Sequence, residues 1–129
     1  KMTEHVQHYA SKSFIDSDDC AVSTFVSLPL MVVDIAERWT KAGNAYCKVT
    51  AIDADRNTIG PLHLWDFPPT VCEFNALYMF RGLKVSPARV YNETLGVWQR
   101  SVGAGKVLEA SPLTAIELVD DESVRFYFP

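Results

Sequence analysis

An all-β fold is expected, a five-stranded Greek-key barrel with a short helix between strands 3 and 4, and three observations predict it. Two stretches, residues 46–52 and 62–66, alternate apolar and polar side chains with period two. Seven prolines and six glycines are spread along the 129 residues, which suits many short elements joined by turns. No long helical crossover separates the strand signals, and this excludes a doubly wound parallel sheet. With 48% hydrophobic residues, a chain of this length holds one domain with a genuine core.

The first strand, residues 25–35, is rich in β-branched and aliphatic side chains and is interrupted by Pro29. Residues 37–44 carry a polar loop signal, with Trp39 set between Arg38 and Lys41. Residues 46–52 then form a half-buried strand, with Cys47, Val49 and Ala51 on one face and Tyr46, Lys48 and Thr50 on the other. A turn at 53–57 leads to a strand whose Leu62 and Leu64 point inward and whose His63 and Trp65 lie on the opposite face. A slip of one residue would exchange the two sets and bury Trp65.

Pro68 and Pro69 suit the first positions of a short helix that carries Val71, Cys72 and Phe74 toward the core and ends near Asn75. Residues 77–85 are the next strand, with Phe80 and Leu83 in the core and Gly82 permitting a bulge or sharp bend. Residues 87–105 form a long arm: an extended piece at 88–92 with Arg89 and Tyr91 on one face, a turn at 93–96, and a second piece at 97–100. Residues 106–108 and 114–119 supply the closing strand, broken at Pro112, and residues 124–129 are an apolar tail that packs back on the barrel or begins a link. The expected division is an N-terminal extension (1–24), the barrel domain (25–122) and the tail (123–129). Strands in this order, with the arm ahead of the last one, match an OB-fold barrel.

The net charge of −4 disfavours a polyanion-binding role until its distribution is considered. From Arg38 to Lys106 nine basic residues face five acids, a balance of +4, whereas the remainder carries three basic residues and eleven acids, a balance of −8. Acids gather around Asp16, Asp18 and Asp19 and again at Asp120, Asp121 and Glu122, leaving the centre locally positive. The three cysteines are too widely spaced for a disulfide framework or a metal knuckle, so a reducing cytosolic or nuclear setting is expected. His5 and His8 are read as an incidental pair rather than a metal site, and no cofactor is expected. The longest apolar run, residues 26–33, is too short for a membrane span, residues 1–10 lack the apolar block of a signal peptide, and Lys1 ahead of Met2 is read as an addition to the natural start. No GxSxG, HExxH, P-loop or GxGxxG pattern occurs, so an enzyme is not expected.

OB barrels hold single strands on the outer face of strands 2 and 3 and between two clamping loops, using aromatic rings for stacking and cations for phosphates. Here the first loop offers Arg38, Trp39 and Lys41, the sheet face Tyr46, Lys48, His63 and Trp65, and the arm Arg89, Tyr91, Trp98 and Arg100. Residues 30–128 resemble the tandem DNA-binding OB domains of the large subunit of replication protein A, the first of them above all. The resemblance rests on the Arg38-Trp39 pair, on Trp65 just before the helix, on the strand from Tyr78 to Val85, on Tyr91 in the arm, and on an acidic run leading into an aromatic tail. It departs from that family in a compressed turn around Pro61, in a lengthened arm, and in the acidic N-terminal segment.

The resemblance implies that Trp65 and Tyr91, then Trp39, stack on bases. The nucleic-acid-binding set expected is Arg38, Trp39, Lys41, Lys48, Trp65, Lys84, Arg89 and Tyr91. The function expected is single-stranded DNA binding without catalysis, RNA being a further candidate, within a larger complex in replication, repair, recombination or telomere maintenance. The alternative is an OB domain whose aromatic surface and tail dock a partner protein.

Overall fold

The structure, a computed structural model, describes residues 11–100 and 105–129. Among the described residues, a short helix α1 (Lys12–Asp16) precedes eight strands: β1 (Phe25–Trp39), β2 (Ala45–Ile52), β3 (Thr58–Trp65), β4 (Leu77–Pro87), β5 (Arg89–Asn92), β6 (Val97–Arg100), β7 (Lys106–Glu109) and β8 (Ala115–Leu118). A helix α2 (Asp121–Tyr127) ends the fold, and a single 3-10 turn, Pro69–Val71, lies between β3 and β4. The main sheet runs β1-β2-β3-β7-β4-β8, and an additional β1–β4 pairing closes β1, β2, β3, β7 and β4 into a barrel-like ring. All its pairings are antiparallel except β3–β7.

β1 is longer than its composition suggests. Its first half pairs with β4, Phe25 opposite Lys84 through Met31 opposite Leu77, and its second half pairs with β2 as far as Trp39 opposite Ala45. Pro29 does not interrupt it, because residues 25–30 have a ladder partner on one edge only, where a strand tolerates a missing N–H. The polar stretch Glu37-Arg38-Trp39, expected in a loop, is held in the ladder by β2, and the turn is confined to residues 40–44. There Asn44 N–H donates to the Thr40 hydroxyl at 3.1 Å, and Gly43 takes a positive φ of 89° that other residues reach at a cost.

β2 and β3 follow their alternation. Cys47, Val49, Ala51, Leu62 and Leu64 are buried inside the ring, where they meet Leu28, Leu30 and Val32 of β1 and Phe80, Leu83 and Val85 of β4. Fully burying a side chain of this size contributes about 1.5–3 kcal/mol, which makes the ring interior the main source of stability. Between the strands the buried Asp53 carboxylate accepts from the backbone N–H groups of Asp55 at 3.0 Å and Asn57 at 2.8 Å, an Asx-type turn closed by its own side chain. Pro61 falls inside β3 and not in that turn.

Along β4 the inward set changes phase. Val26 of β1 lies opposite Leu83 and Leu28 opposite Phe80, so Ser27 alone faces both Arg81 and Gly82. This bulge lets Phe80 and Leu83, three residues apart, both point inward. Gly82 sits there at φ 66°, its N–H donating to the Ser27 hydroxyl and its carbonyl accepting from the Ser111 and Thr114 hydroxyls at 3.0 and 2.9 Å.

Phe74, the tail and residues 37–39 also depart from expectation. Phe74 is 63% exposed, because the helix expected at Pro68–Pro69 is one 3-10 turn that turns Val71 and Cys72 to the core and is spent before Phe74. The apolar tail is the helix α2, started by Asp120, whose carboxylate accepts from Ser123 N–H at 2.9 Å, with Asp121 and Glu122 in its first turn and Arg125 in its last. Residues 37–39, as noted, are strand and not loop. His5 and His8 lie outside the described residues.

The N-terminal segment packs onto the ring. Ile15 and Cys20 join the core, and the Lys106 ammonium donates to the carbonyl oxygens of Ile15 at 3.2 Å, Ser17 at 2.6 Å and Cys20. Lys106, one of the nine basic residues of the central segment, is thus half-buried and engaged with the N-terminal segment. No described helix is long and apolar enough to cross a membrane.

Candidate nucleic-acid interface

On the outer face of the ring, residues directly opposite one another form two rows. Arg38, Tyr46 and Trp65 make the first, across β1, β2 and β3; Ala36, Lys48, His63 and Glu109 make the second, which continues to Lys84 on β4. Paired residues share a face, so Arg38, Lys48, Trp65 and Lys84 come together on one surface.

Three rings form its centre. The centroids of Tyr46 and Trp65 are 4.4 Å apart with planes tilted 49°, those of His63 and Trp65 are 5.3 Å apart, and those of Tyr46 and His63 are 5.8 Å apart. Trp65 is half-buried and its indole N–H donates to Glu109 Oε1 at 2.6 Å, while Glu109 Oε2 accepts from the Ser86 hydroxyl. Rings this close, tilted or edge-on to one another, form an aromatic patch flanked by Lys48 and Lys84, a combination that suits stacking of planar groups joined by anions.

His63 is held below the ordinary imidazole range, first by desolvation among its neighbours, then by the charge of Lys48, with Glu109 opposing both. A depressed value means that the unfolded chain binds the proton more readily, so stability falls as pH drops through about 6.5, the unfolded value. Thermal unfolding of the wild type is therefore expected to lose more between about pH 7.5 and 5.5 than that of His63→Asn. Identical acid limbs would show that the ring takes its proton freely in the fold.

The arm is the β5–β6 hairpin. It leaves the ring where Pro87 of β4 lies opposite Lys106 of β7, the end of the sheet away from the 40–44 turn. Yet the Lys41 ammonium lies over the Tyr91 ring, 4.4 Å from its centroid. The arm therefore brings Tyr91 beside the β1–β2 turn. Tyr91 packs edge-on against its cross-strand partner Trp98 at 5.3 Å, and Arg89 is exposed. A cation over an aromatic face is worth about 0.5–1 kcal/mol at an exposed site, so this contact orients the two loops without locking them.

Trp39 stands apart from the other rings. It is 62% exposed, and alternation along β1 puts it on the face opposite Arg38, Tyr46 and Trp65, overhanging the end of the ring. Arg81 of β4 is paired with Glu117 of β8 at 2.9 Å. Glu109 was missed: with the closing strand expected to stop at residue 108, it fell outside the ladder, although its alternation with the buried Leu108 marks it as outward-facing. The cysteines bring no nucleophile, since all three are buried and unpaired and burial, with the nearby Cys47, pushes the Cys72 thiol up to about 11. No family model matches the chain, and no curated protein matches it.

Proposed function

We propose that the chain is an OB-fold domain of the replication-protein-A type that binds single-stranded DNA by stacking bases on Trp65, Tyr46 and Tyr91 and holding phosphates with lysine and arginine, with no catalytic step. The three-ring cluster on the outer face of β2 and β3, flanked by Lys48 and Lys84, carries this reading. The ring order β1-β2-β3-β7-β4 with a parallel β3–β7 pair supports the OB assignment, in a Greek-key arrangement. Arg38, Lys41 and Arg89 extend the positive rim, and Trp39 offers a further ring where a strand leaves the barrel end. The setting proposed is a multi-subunit nuclear assembly in replication, repair, recombination or telomere maintenance.

Titration of a fluorescent oligo-dT strand is expected to give micromolar or tighter binding at low salt that weakens steeply as salt rises. Trp65→Ala is expected to cost about 1–3 kcal/mol of that affinity. Unchanged affinity in Trp65→Ala would remove the outer face of β3 from the site. Competition with an RNA strand of the same length decides between the two nucleic acids.

A second reading, docking of a partner protein, is favoured by Leu113, Leu118 and Phe126, which are 65%, 67% and 73% exposed around β8 and α2. Absence of any oligo-dT binding at low salt would select it.

A further inference from the structure

We propose that Glu109 is a positioning residue that fixes the plane of Trp65, so that the ring cluster is already set as a stacking platform before a strand arrives; the inference rests on the DNA-binding reading of that face. The two carboxylate oxygens have separate partners. Oε1 takes the indole N–H of Trp65 at 2.6 Å and Oε2 takes the hydroxyl of Ser86, which is itself 5% exposed and belongs to β4. An indole edge bonded to a carboxylate that is anchored on a buried hydroxyl cannot turn about its side-chain torsions without breaking a charge-assisted hydrogen bond. Tyr46 and His63 close on the ring from β2 and β3, so the contacts that hold Trp65 come from three strands. A ring held this way loses little freedom when a base stacks on it.

The sign of the charge makes the proposal testable. An acid beside a phosphate-binding surface opposes binding by ordinary electrostatics, so its removal should tighten the complex if charge were all that mattered. Positioning demands the reverse. Glu109→Ala is expected to weaken oligo-dT binding about tenfold, a share of the stacking contribution, and to have no further effect in a Trp65→Ala background. Glu109→Gln, which keeps an acceptor for the indole, is expected to retain most of the affinity.

The Trp65 indole N–H, assigned in a proton–nitrogen correlation spectrum by comparison with Trp65→Phe, is expected to lie downfield and exchange slowly, and to lose both properties in Glu109→Ala while retaining them in Glu109→Gln. Tighter or unaltered binding by Glu109→Ala, or an equal loss with and without Trp65, overturns the proposal. Should the wild type fail to bind oligo-dT, the DNA-binding reading falls by itself. The indole signal then decides the positioning role, an unprotected N–H in the wild type refuting it and protection lost in Glu109→Ala upholding it.

Discussion

Gly82→Ala is expected to destabilise the barrel by about 2–5 kcal/mol, from roughly 1–2 for a left-handed backbone and roughly 1–3 for overpacking. Gly82 has φ 66°, and a Cβ there would stand 2.6 Å from the carbonyl oxygen and 3.0 Å from the carbonyl carbon of Leu113, both backbone atoms. Leu113 has little room to retreat, because its turn is tied to Gly82 itself by the Ser111 and Thr114 hydroxyls. The bulge at Gly82 also sets which residues of β4 face the core, so relaxing it threatens the inward pointing of both Phe80 and Leu83. Urea unfolding measures the loss, and Gly105→Ala, where no atom lies within 4 Å of the added carbon, serves as the comparison that should stay near zero. Equal midpoints for the two variants would mean that the bulge tolerates a side chain.

Lys106→Met is expected to cost about 2–4 kcal/mol, since hydrogen bonds to charged groups contribute about 1.5–3 kcal/mol and an unpaired carbonyl remains behind. The ammonium caps three carbonyl oxygens, of Ile15, Ser17 and Cys20, that have turned toward one point. Methionine keeps most of the stem and removes the donors, so the loss reports the polar contact and not the packing. Amide exchange in residues 12–20 is expected to speed up more than exchange in β2 and β3. A change within about 0.5 kcal/mol, as for an ordinary surface site, would show that the segment is held by Ile15 and Cys20 alone.

The barrel strands were legible where one face is buried and the other is wet. Tyr46 to Ile52 and Leu62 to Trp65 show that contrast residue by residue, and both the inward set and the Tyr46–His63–Trp65 face follow from it. Gly82 was legible as a bend because little else suits a glycine inside an apolar strand. The extension of β1 through Trp39 was hidden, since polar residues in a ladder beyond the end of the core look like loop until the pairing strand is known. Phe74 and α2 depart from expectation in opposite directions: an apolar residue soon after two prolines looks like core, and the aromatics after Asp120 mask a capped helix start. Glu109 and Lys106 depend on partners 44 and up to 91 residues away, and contacts at that separation leave no mark in local periodicity.

The Lys106 contact has a consequence for the order in which the chain assembles. The carbonyl groups it gathers lie 86 to 91 residues earlier, and the arm and β4 must be made before Lys106 exists. At about 5–20 residues per second, a ribosome takes on the order of 4–18 s to cover that stretch. Through that interval Ile15 and Cys20 have no closed ring to enter, so residues 12–20 stay unstapled until β7 has been made.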